Sequence, residues 1–497
     1  MVIKRLCLSI VAIILLPGFV FAKTANDPLL GRQWYLGKIE AYDAWDDQTG
    51  DKTVVVAVLD TGVDLDHPDL EDNIWINNDE IPDNGRDDDN NGYIDDVYGW
   101  DFVKNDNDPE PDINRSANSD AVSHGTLIAG IIGAEGNNSR GVSGINWNVS
   151  IMPLRILNSL GAGDSVDVAK AIYYAVANGA DVINMSFSGD ENDINLQNAV
   201  QYAYDNGVVV VSALGNDGEN VNKQPVYPAC YNYNDEDWVI GVAAVDKNDT
   251  RSLFSNYGSD CVDLSAPGED IYGLSYYDPA KGYDKKYSGQ WDGTSMSAPM
   301  VAGAAAILLA EYPDLSPDSI RNILKLSVDP ISSSTQDVGQ MGAGRLNIAK
   351  ALSIAGNFSE QTEDNDNSSQ DSAGSEAEIV VEGVEVGDFV KAPSFSTVYY
   401  IGEQGRYAVI DEQTFFTWKD DFSVIKEVSD EDLSAWSLAG VLLPKPGVVL
   451  VKIQSDAAVY ALEENPDNEF SPLLRQIPNE EIAKALYGEN WADYVID

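Results

Sequence analysis

The sequence predicts an α/β fold, a mainly parallel sheet with helices on both faces, followed by a smaller β-rich module. Between Lys52 and Ser353 short β-branched runs alternate with helix-length segments, the pattern of strands joined by crossover helices. From Asn357 to Glu378 the chain is rich in Ser, Asp, Glu, Asn and Gln and nearly free of large apolar residues. Such a stretch buries too little surface to order itself and reads as an acidic disordered linker. Beyond it, Ile379 to Asp497 regains Val, Tyr, Phe and Trp in short alternating runs. The division is therefore 1–22, 23–356, 357–378 and 379–497.

The first segment reads as an export signal. Lys4 and Arg5 precede an apolar run from Leu6 to Val20, and Val20-Phe21-Ala22 resembles a small-residue cleavage site, so the mature chain begins at Lys23. The run is shorter than the ~20 residues of a membrane-spanning helix, and Ala298 to Ala310 is apolar but shorter still. In the α/β region the clearest strands are Val54–Leu59, Val182–Met185, Val208–Val211 and Val239–Val245. The clearest helices are Ser123–Gly133, Val166–Asn178, Ile194–Asn206 and Ser295–Tyr312. Ligands gather at the carboxyl ends of strands in such sheets. Asp60 follows a strand, while His124 and Ser295 open helices, so the three are expected at one sheet edge.

The C-terminal stretch carries an internal echo. Phe389-Val390-Lys391 with Val398-Tyr399 recurs as Leu450-Val451-Lys452 with Val459-Tyr460 at a constant offset of 61 positions (451 − 390), which predicts a two-fold repeat. Its aromatic residues, including Tyr399, Tyr400, Phe415, Phe416, Trp418 and Trp436, are expected in a core rather than on a sugar-binding face.

Against 82 Asp and Glu stand 30 Lys and Arg, a formal charge of −52 over 497 residues. No basic stripe exists to neutralise phosphates, which argues against nucleic acid and anionic membranes. The excess suits bound calcium, a saline medium or plain solubility. Removal of the signal takes Cys7 with it and leaves Cys230 and Cys261. An even count in an exported chain favours a disulfide bond over two free thiols. Closing that loop would add ~3 to 4 kcal/mol in the chain-entropy model.

Three glycine-flanked stretches carry the chemistry: Asp60-Thr61-Gly62, His124-Gly125-Thr126 and Gly293-Thr294-Ser295-Met296-Ser297-Ala298-Pro299. A serine hydroxyl becomes a nucleophile when an imidazole accepts its proton and a carboxylate holds the imidazole in the right tautomer. With only His67 and His124 in the chain, the base is nearly forced.

These stretches, with His67-Pro68-Asp69-Leu70, Asn184-Met185-Ser186-Phe187-Ser188-Gly189 and Leu214-Gly215-Asn216, resemble the subtilisin-like serine peptidases, thermitase and aqualysin group, over residues 27–353. That is about two thirds of the chain. The resemblance implies a subtilisin-like three-layer fold and a secreted endopeptidase that cleaves protein or peptide substrates through an acyl-enzyme. It makes Ser295 the nucleophile, His124 the base and Asp60 its orienting group. Asn216, with the Ser295 N–H, becomes the oxyanion donor, and Ser186, Phe187, Ser188, Gly189, Leu214 and Gly215 the substrate-binding set. His67 is structural in that family. Ser188 stands where a glycine is usual and Leu214 where an alanine is common, bulk that narrows the subsites and leaves side-chain preference open, while Leu127 stands where a histidine is common, which implies packing rather than chemistry there. Only Lys23 to Asn26 separate the signal from the first matching residues, and no N-terminal processing beyond signal removal is expected.

Calcium is the expected cofactor. Asp87, Asp89, Asn91 and Asp95 alternate around Gly92, with Asp96 following, as the first part of a calcium loop does; an acidic solvated loop is the alternative. The resemblance implies a second site from Asp27, Asp69 and the loop Glu135 to Val142. There Asn138 gives its side-chain oxygen and Glu135, Arg140 and Val142 their carbonyls. The last 120 or so residues resemble a module of exported bacterial proteins to which no function attaches, and cell-surface or wall contact is the expectation for it.

Overall fold

The structure is a computed structural model that describes residues 23–113, 118–233, 236–331 and 339–356 and, from 384 onward, mainly the strands. The apolar start 1–22 and the acidic stretch 357–378 lie outside the described residues. The chain forms two compact units: one runs to residue 349 without 221–223 and 258–261, and the other comprises those short segments and 350–497.

The first unit opens with short helices α1 (Trp34–Lys38) and α2 (Ala41–Asp47). Its sheet contains β1 (Val55–Asp60), β2 (Trp100–Asp101), β3 (Ser150–Arg155), β4 (Val182–Met185) and β5 (Val209–Ala213). After a small pair, β6 (Asn232–Tyr233) and β7 (Glu236–Asp237), come β8 (Ile240–Val245) and β9 (Leu264–Pro267). The seven parallel strands run β2-β3-β1-β4-β5-β8-β9. Helices α3 (Ser119–Gly133), α4 (Ser165–Ala177), α5 (Ile194–Asp205), α6 (Thr294–Glu311) and α7 (Pro317–Leu326) supply the covering layers. A hairpin of β10 (Ile271–Leu274) and β11 (Tyr287–Trp291) precedes α6.

The strands read as unbroken apolar runs because both faces are buried. Alternate residues Ala57, Leu59, Met152, Leu154, Ile183 and Met185 share one cluster with Val168, Ala171 and Ile172 of α4 and Leu196, Ala199 and Val200 of α5. Helix α3 packs with α6. Helix α6 is buried almost all round, including Met296 to Leu309. Among the described residues it alone is long and apolar enough to cross a membrane, but it is the central helix of the fold. The apolar run Ala298–Ala310 was too short for a membrane span because it leaves out the helix's polar first turn.

Helix α3 begins four residues earlier than its apolar pattern suggests. The Asn118 side chain caps it by accepting the Asp120 N–H at 2.9 Å. His124 is therefore the sixth residue of the helix rather than one at its very start. The helix is seated directly on the turn after β1. A Cβ on Gly125 would lie 2.2 Å from the Gly62 carbonyl oxygen, and Gly62 itself has φ +104° with the Pro109 oxygen 2.6 Å from where its Cβ would be. Two threonines lock the contact: Gly125 N–H donates to Thr61 Oγ1 at 3.1 Å, and Asp64 N–H to Thr126 Oγ1 at 3.0 Å.

In the second unit β12 (Phe389–Lys391), β13 (Val398–Gly402), β14 (Gly405–Val409), β15 (Lys426–Glu427) and β16 (Leu438–Val441) form a sheet ordered β15-β12-β13-β14-β16. Phe389, Tyr400, Tyr407 and Phe415 pack on one face, and Val390, Ile401, Val428, Leu433 and Trp436 on the other. Of the aromatics singled out above, Phe416 is exposed. A second sheet holds β17 (Leu450–Lys452), β18 (Val459–Glu463), β19 (Leu473–Ile477) and β20 (Val495–Ile496), ordered β20-β17-β18-β19. Val390 pairs with Tyr399, and Val451 with Tyr460, so the two hairpins share one register 61 positions apart (451 − 390 and 460 − 399).

A Gly125→Ala substitution must push α3 off the β1 turn, because the colliding atom is backbone. It is expected to cost about 1 to 3 kcal/mol or more in urea unfolding, with activity falling alongside.

Candidate active site

Asp60 ends β1 and is wholly buried. Its Oδ1 accepts the Thr61 N–H at 2.7 Å and lies 2.8 Å from His124 Nδ1. Burial of the imidazole opposes its charged form, but the charge and hydrogen bond of Asp60 outweigh it, and the His124 pKa is raised above the ordinary value. With Nδ1 held, Nε2 is the nitrogen left for a reacting proton.

Ser295 is the second residue of α6. The helix starts from Gly293, whose φ of +148° suits glycine and whose missing Cβ leaves room beside Asn216, 3.4 Å from Nδ2. Pro299 lies inside the helix and has no N–H for the carbonyl four residues earlier, which is that of Ser295. The Ser186 hydroxyl takes that place, donating to Ser295 O at 3.0 Å. Ser186 Oγ in turn accepts from Asn184 Nδ2 at 3.0 Å. The Ser295 hydroxyl donates to the Ser186 carbonyl at 2.9 Å, and it makes no hydrogen bond to His124 among the described residues.

Asn216 is fixed by its oxygen. Its Oδ1 accepts the Thr294 N–H at 2.8 Å and the Thr294 hydroxyl at 3.1 Å. The oxygen is thereby assigned, and the NH2 group is the exposed end beside the start of α6. Gly215 N–H donates to Thr294 Oγ1 at 3.0 Å and completes the clamp. Thr294 was quoted in the sequence motif, but its anchoring role was not read from it.

The proposed substrate strand divides by period two. Ser186 and Ser188 alternate with Phe187 and Gly189. The N–H and carbonyl of Gly189 are both taken by Tyr227, each at 2.8 Å. Leu214 is corrected. It is fully buried, its N–H bonds to Val242 O at 3.1 Å and its carbonyl accepts from Asn256 at 3.0 Å, so its bulk fills the interior. Gly215 has φ +98°, and a Cβ there would sit 2.9 Å from Ser188 Oγ, so the two walls nearly touch.

The profile of the subtilase family matches residues 51–383. This chain belongs to the subtilase family. It is 37% identical to thermitase from Thermoactinomyces vulgaris over 330 residues, 66% of this chain and 99% of that protein. It is 36% identical to halolysin from Haloferax mediterranei, over 66% of this chain and 54% of halolysin. A solved protease structure from Pseudoalteromonas arctica superposes with a TM-score of 0.54 at 31% identity, covering 67% of this chain and 100% of that one. The protein is thus a serine-type endopeptidase with protein or peptide substrates and the α/β subtilisin fold.

Around the subtilase site lie two acidic clusters. Glu80, Asp87 and Asp89 bring carboxylate oxygens within 4.8 Å of one another. Glu80 was missed from sequence because it lies outside the alternating run; it folds in by accepting the N–H groups of Asp88 and Asp95 at 2.7 and 3.2 Å. Asn91 is beside this group, donating to Asp89 and Asp96 at 2.9 Å each. Asp95 turns away, its carboxylate accepting the N–H groups of Asn84 and Gly85 at 3.0 and 2.9 Å. Asp96 is buried, accepts the Tyr174 hydroxyl at 2.5 Å, and has its pKa raised by burial.

In the second cluster Asp27 accepts the N–H groups of Asn137 and Asn138 at 2.8 and 3.1 Å. Asp69 accepts from the Val142 N–H and from Asn138 Nδ2, each at 2.9 Å, and Asn138 Nδ2 also reaches Glu135 at 3.4 Å. Asn138 Oδ1 is taken by the Arg140 N–H at 2.7 Å, so its nitrogen, not the expected oxygen, faces the carboxylates. Burial raises both aspartates, and the charges of Asp27 and Glu135 add to the rise at Asp69. His67 sits in the interior with Nε2 3.0 Å from Lys286 O, and burial lowers its pKa to about 4, as suits a structural residue. Cys230 and Cys261 are disulfide-bonded.

Asp64 follows the turn after Asp60 and is buried with its carboxylate accepting the Tyr277 N–H at 2.8 Å. Burial, aided by Asp66 and Glu110, pushes it up to about 7. The folded state then keeps a proton that the unfolded chain has lost, so this group's stabilisation is present below about pH 4 and is lost as pH rises towards 7. In an inactive Ser295→Ala background, Asp64→Asn is expected to raise Tm at pH 8 relative to its parent and to lose that advantage at pH 4, as read by calorimetry.

Proposed function

We propose that Asp60, His124 and Ser295 are the catalytic triad of this endopeptidase and that Asn216 is its oxyanion donor. The observation that carries the assignment is the 2.8 Å contact from His124 Nδ1 to the buried Asp60 carboxylate. Substrate lies extended along Ser186 to Ser188, and its N–H claims the Ser186 carbonyl to which the Ser295 hydroxyl now donates. Rotation about the Ser295 side chain then brings Oγ towards His124 Nε2, which takes the proton as the oxygen attacks the scissile carbonyl. The carbonyl oxygen becomes negative between the Asn216 NH2 and the Ser295 N–H at the start of α6, where the helix dipole also favours it. His124 then protonates the departing amine, and a water molecule repeats the sequence on the acyl-enzyme.

The acidic clusters suit calcium. Glu80, Asp87, Asp89 and Asn91 offer hard oxygen donors, while Asp27 and Asp69 are buried like charges that a cation would relieve. An ion among Asp27, Asp69 and a reoriented Asn138 would tie the start of the chain to the loop after α3. We place the protein outside the cell, where a disulfide persists; a relative from Natrialba magadii, 34% identical, is described as an extracellular serine protease. The C-terminal unit is read as a duplicated β module that holds the enzyme at a cell surface.

A fluorophosphonate probe is expected to label the unmodified protein and not Ser295→Ala; an unlabelled parent would leave the fold as a mere scaffold. Asn216→Ala should cut kcat by ~10² to 10³, and Asp60→Asn by ~10⁴. Because the base must be neutral and its pKa is raised, the acid limb of kcat/KM is expected above the ordinary imidazole value of about 6.5. Excess chelator should lower Tm without touching the triad. The loss is about 2.7 kcal/mol if calcium had been at 100 times its Kd, and an unchanged melting curve counts against both sites.

A further inference from the structure

Arg406 in β14 is a buried cation with no carboxylate beside it. The residue is 6% exposed, its Nη1 donates to the Leu433 carbonyl, and its Nε is buried without an acceptor. The half-buried ring of Tyr399 covers the guanidinium, with Cζ 5.0 Å from the ring centroid. Arg406 forms no ion pair among the described residues, although the chain has 82 Asp and Glu. The other two buried arginines among the described residues are paired, Arg155 with Asp101, and Arg345 with Asp249 and Asp329. A buried guanidinium without a counter-charge is costly, and burial lowers its pKa.

The sheet itself does not require this charge. Arg406 stands opposite Ile401, so its side chain shares the face of Val390, Val428, Leu433 and Trp436. In the second hairpin Leu462, 61 positions after Ile401 (462 − 401), stands opposite Leu474. A leucine therefore takes the register position in the second copy that Arg406 takes in the first. The backbone is also irregular here: Arg406 pairs with Leu438 and Tyr407 with Gly440, so the edge strand β16 carries a one-residue bulge beside the arginine. Bulges re-aim side chains and gather at sheet edges and functional sites.

We propose that Arg406 anchors a ligand site that takes a single carboxylate carried on an apolar group. A planar guanidinium binds a carboxylate through forked hydrogen bonds, and one negative charge cancels one positive charge in dry surroundings. A phosphate dianion leaves a charge over, and a polyanion is repelled by a net charge of −52. The neighbouring Val390, Ile401, Trp436 and Tyr399 suit an aliphatic or aromatic remainder. The C-terminus of a peptide and a free small acid share this chemistry. The site is independent of the peptidase assignment.

The test is calorimetric titration of the full chain carrying Ser295→Ala, so that added peptides survive. The probes are N-acetyl-phenylalanine, an N-acetylated hexapeptide ending in phenylalanine, the C-terminal amide of each, and inorganic phosphate. The carboxylate is expected to bind about tenfold or more tightly than its amide and than phosphate. Arg406→Leu should abolish the preference for acid over amide, and Arg406→Lys, which keeps the charge but not the fork, should shrink it several-fold. Binding of N-acetyl-phenylalanine alone supports a site for free acids, and binding of both acids supports one for peptide C-termini. Failure of the parent to bind either acid, equal affinity for acid and amide, tighter binding of phosphate, or an acid preference that survives Arg406→Leu overturns the proposal. If the melting curve shows Arg406→Leu unfolded, an unaltered preference in Arg406→Lys overturns it instead.

Discussion

A carboxylate taken wholly out of water at the end of β1 is the constraint around which the catalytic half is arranged. An unpaired buried charge is costly, and Asp60 is tolerable because the Thr61 N–H and the His124 ring meet it. That pairing demands that α3 come within van der Waals reach of the turn after the strand. Only glycine at 62 and 125 permits the approach, and Thr61 and Thr126 bind the two pieces once they are there. The same pair that partners Oδ1 of the buried charge also raises the basicity of the imidazole, so a stability requirement and the proposed catalytic one meet in a single contact.

Ser295, the proposed nucleophile, is held by a different device. Pro299 leaves the Ser295 carbonyl without its helical donor, and the Ser186 hydroxyl fills the gap from the neighbouring strand. Thr294 clamps Asn216 by its oxygen and so decides which end of that amide points outward. Helix α6 is central to the fold and apolar on every side, which makes its first turn a rigid platform. Loops alone would hold these groups less tightly.

The acidic regions show the cost of the chain's composition. Asp27 and Asp69 are buried close to Glu135, and their carboxyls are driven towards protonation. Such pairs are stable only with a proton or a cation, which couples the fold at this edge to its ionic surroundings.

The α/β class, the strand and helix order, and the three chemical groups were legible in the sequence because each rests on local chemistry: period, turn residues and the scarcity of histidine. Helix α6 was found within one residue at either end. Tertiary structure decided whatever depends on direction. It began α3 at an asparagine cap that no apolar pattern marks, and turned Asp95 out of its cluster while Glu80 folded in. It showed the backbone of Gly189 bonded to Tyr227, and it put the bulk of Leu214 inside. A sequence lists donors and acceptors but not where they point, and in a packed interior that orientation is set by neighbours distant along the chain.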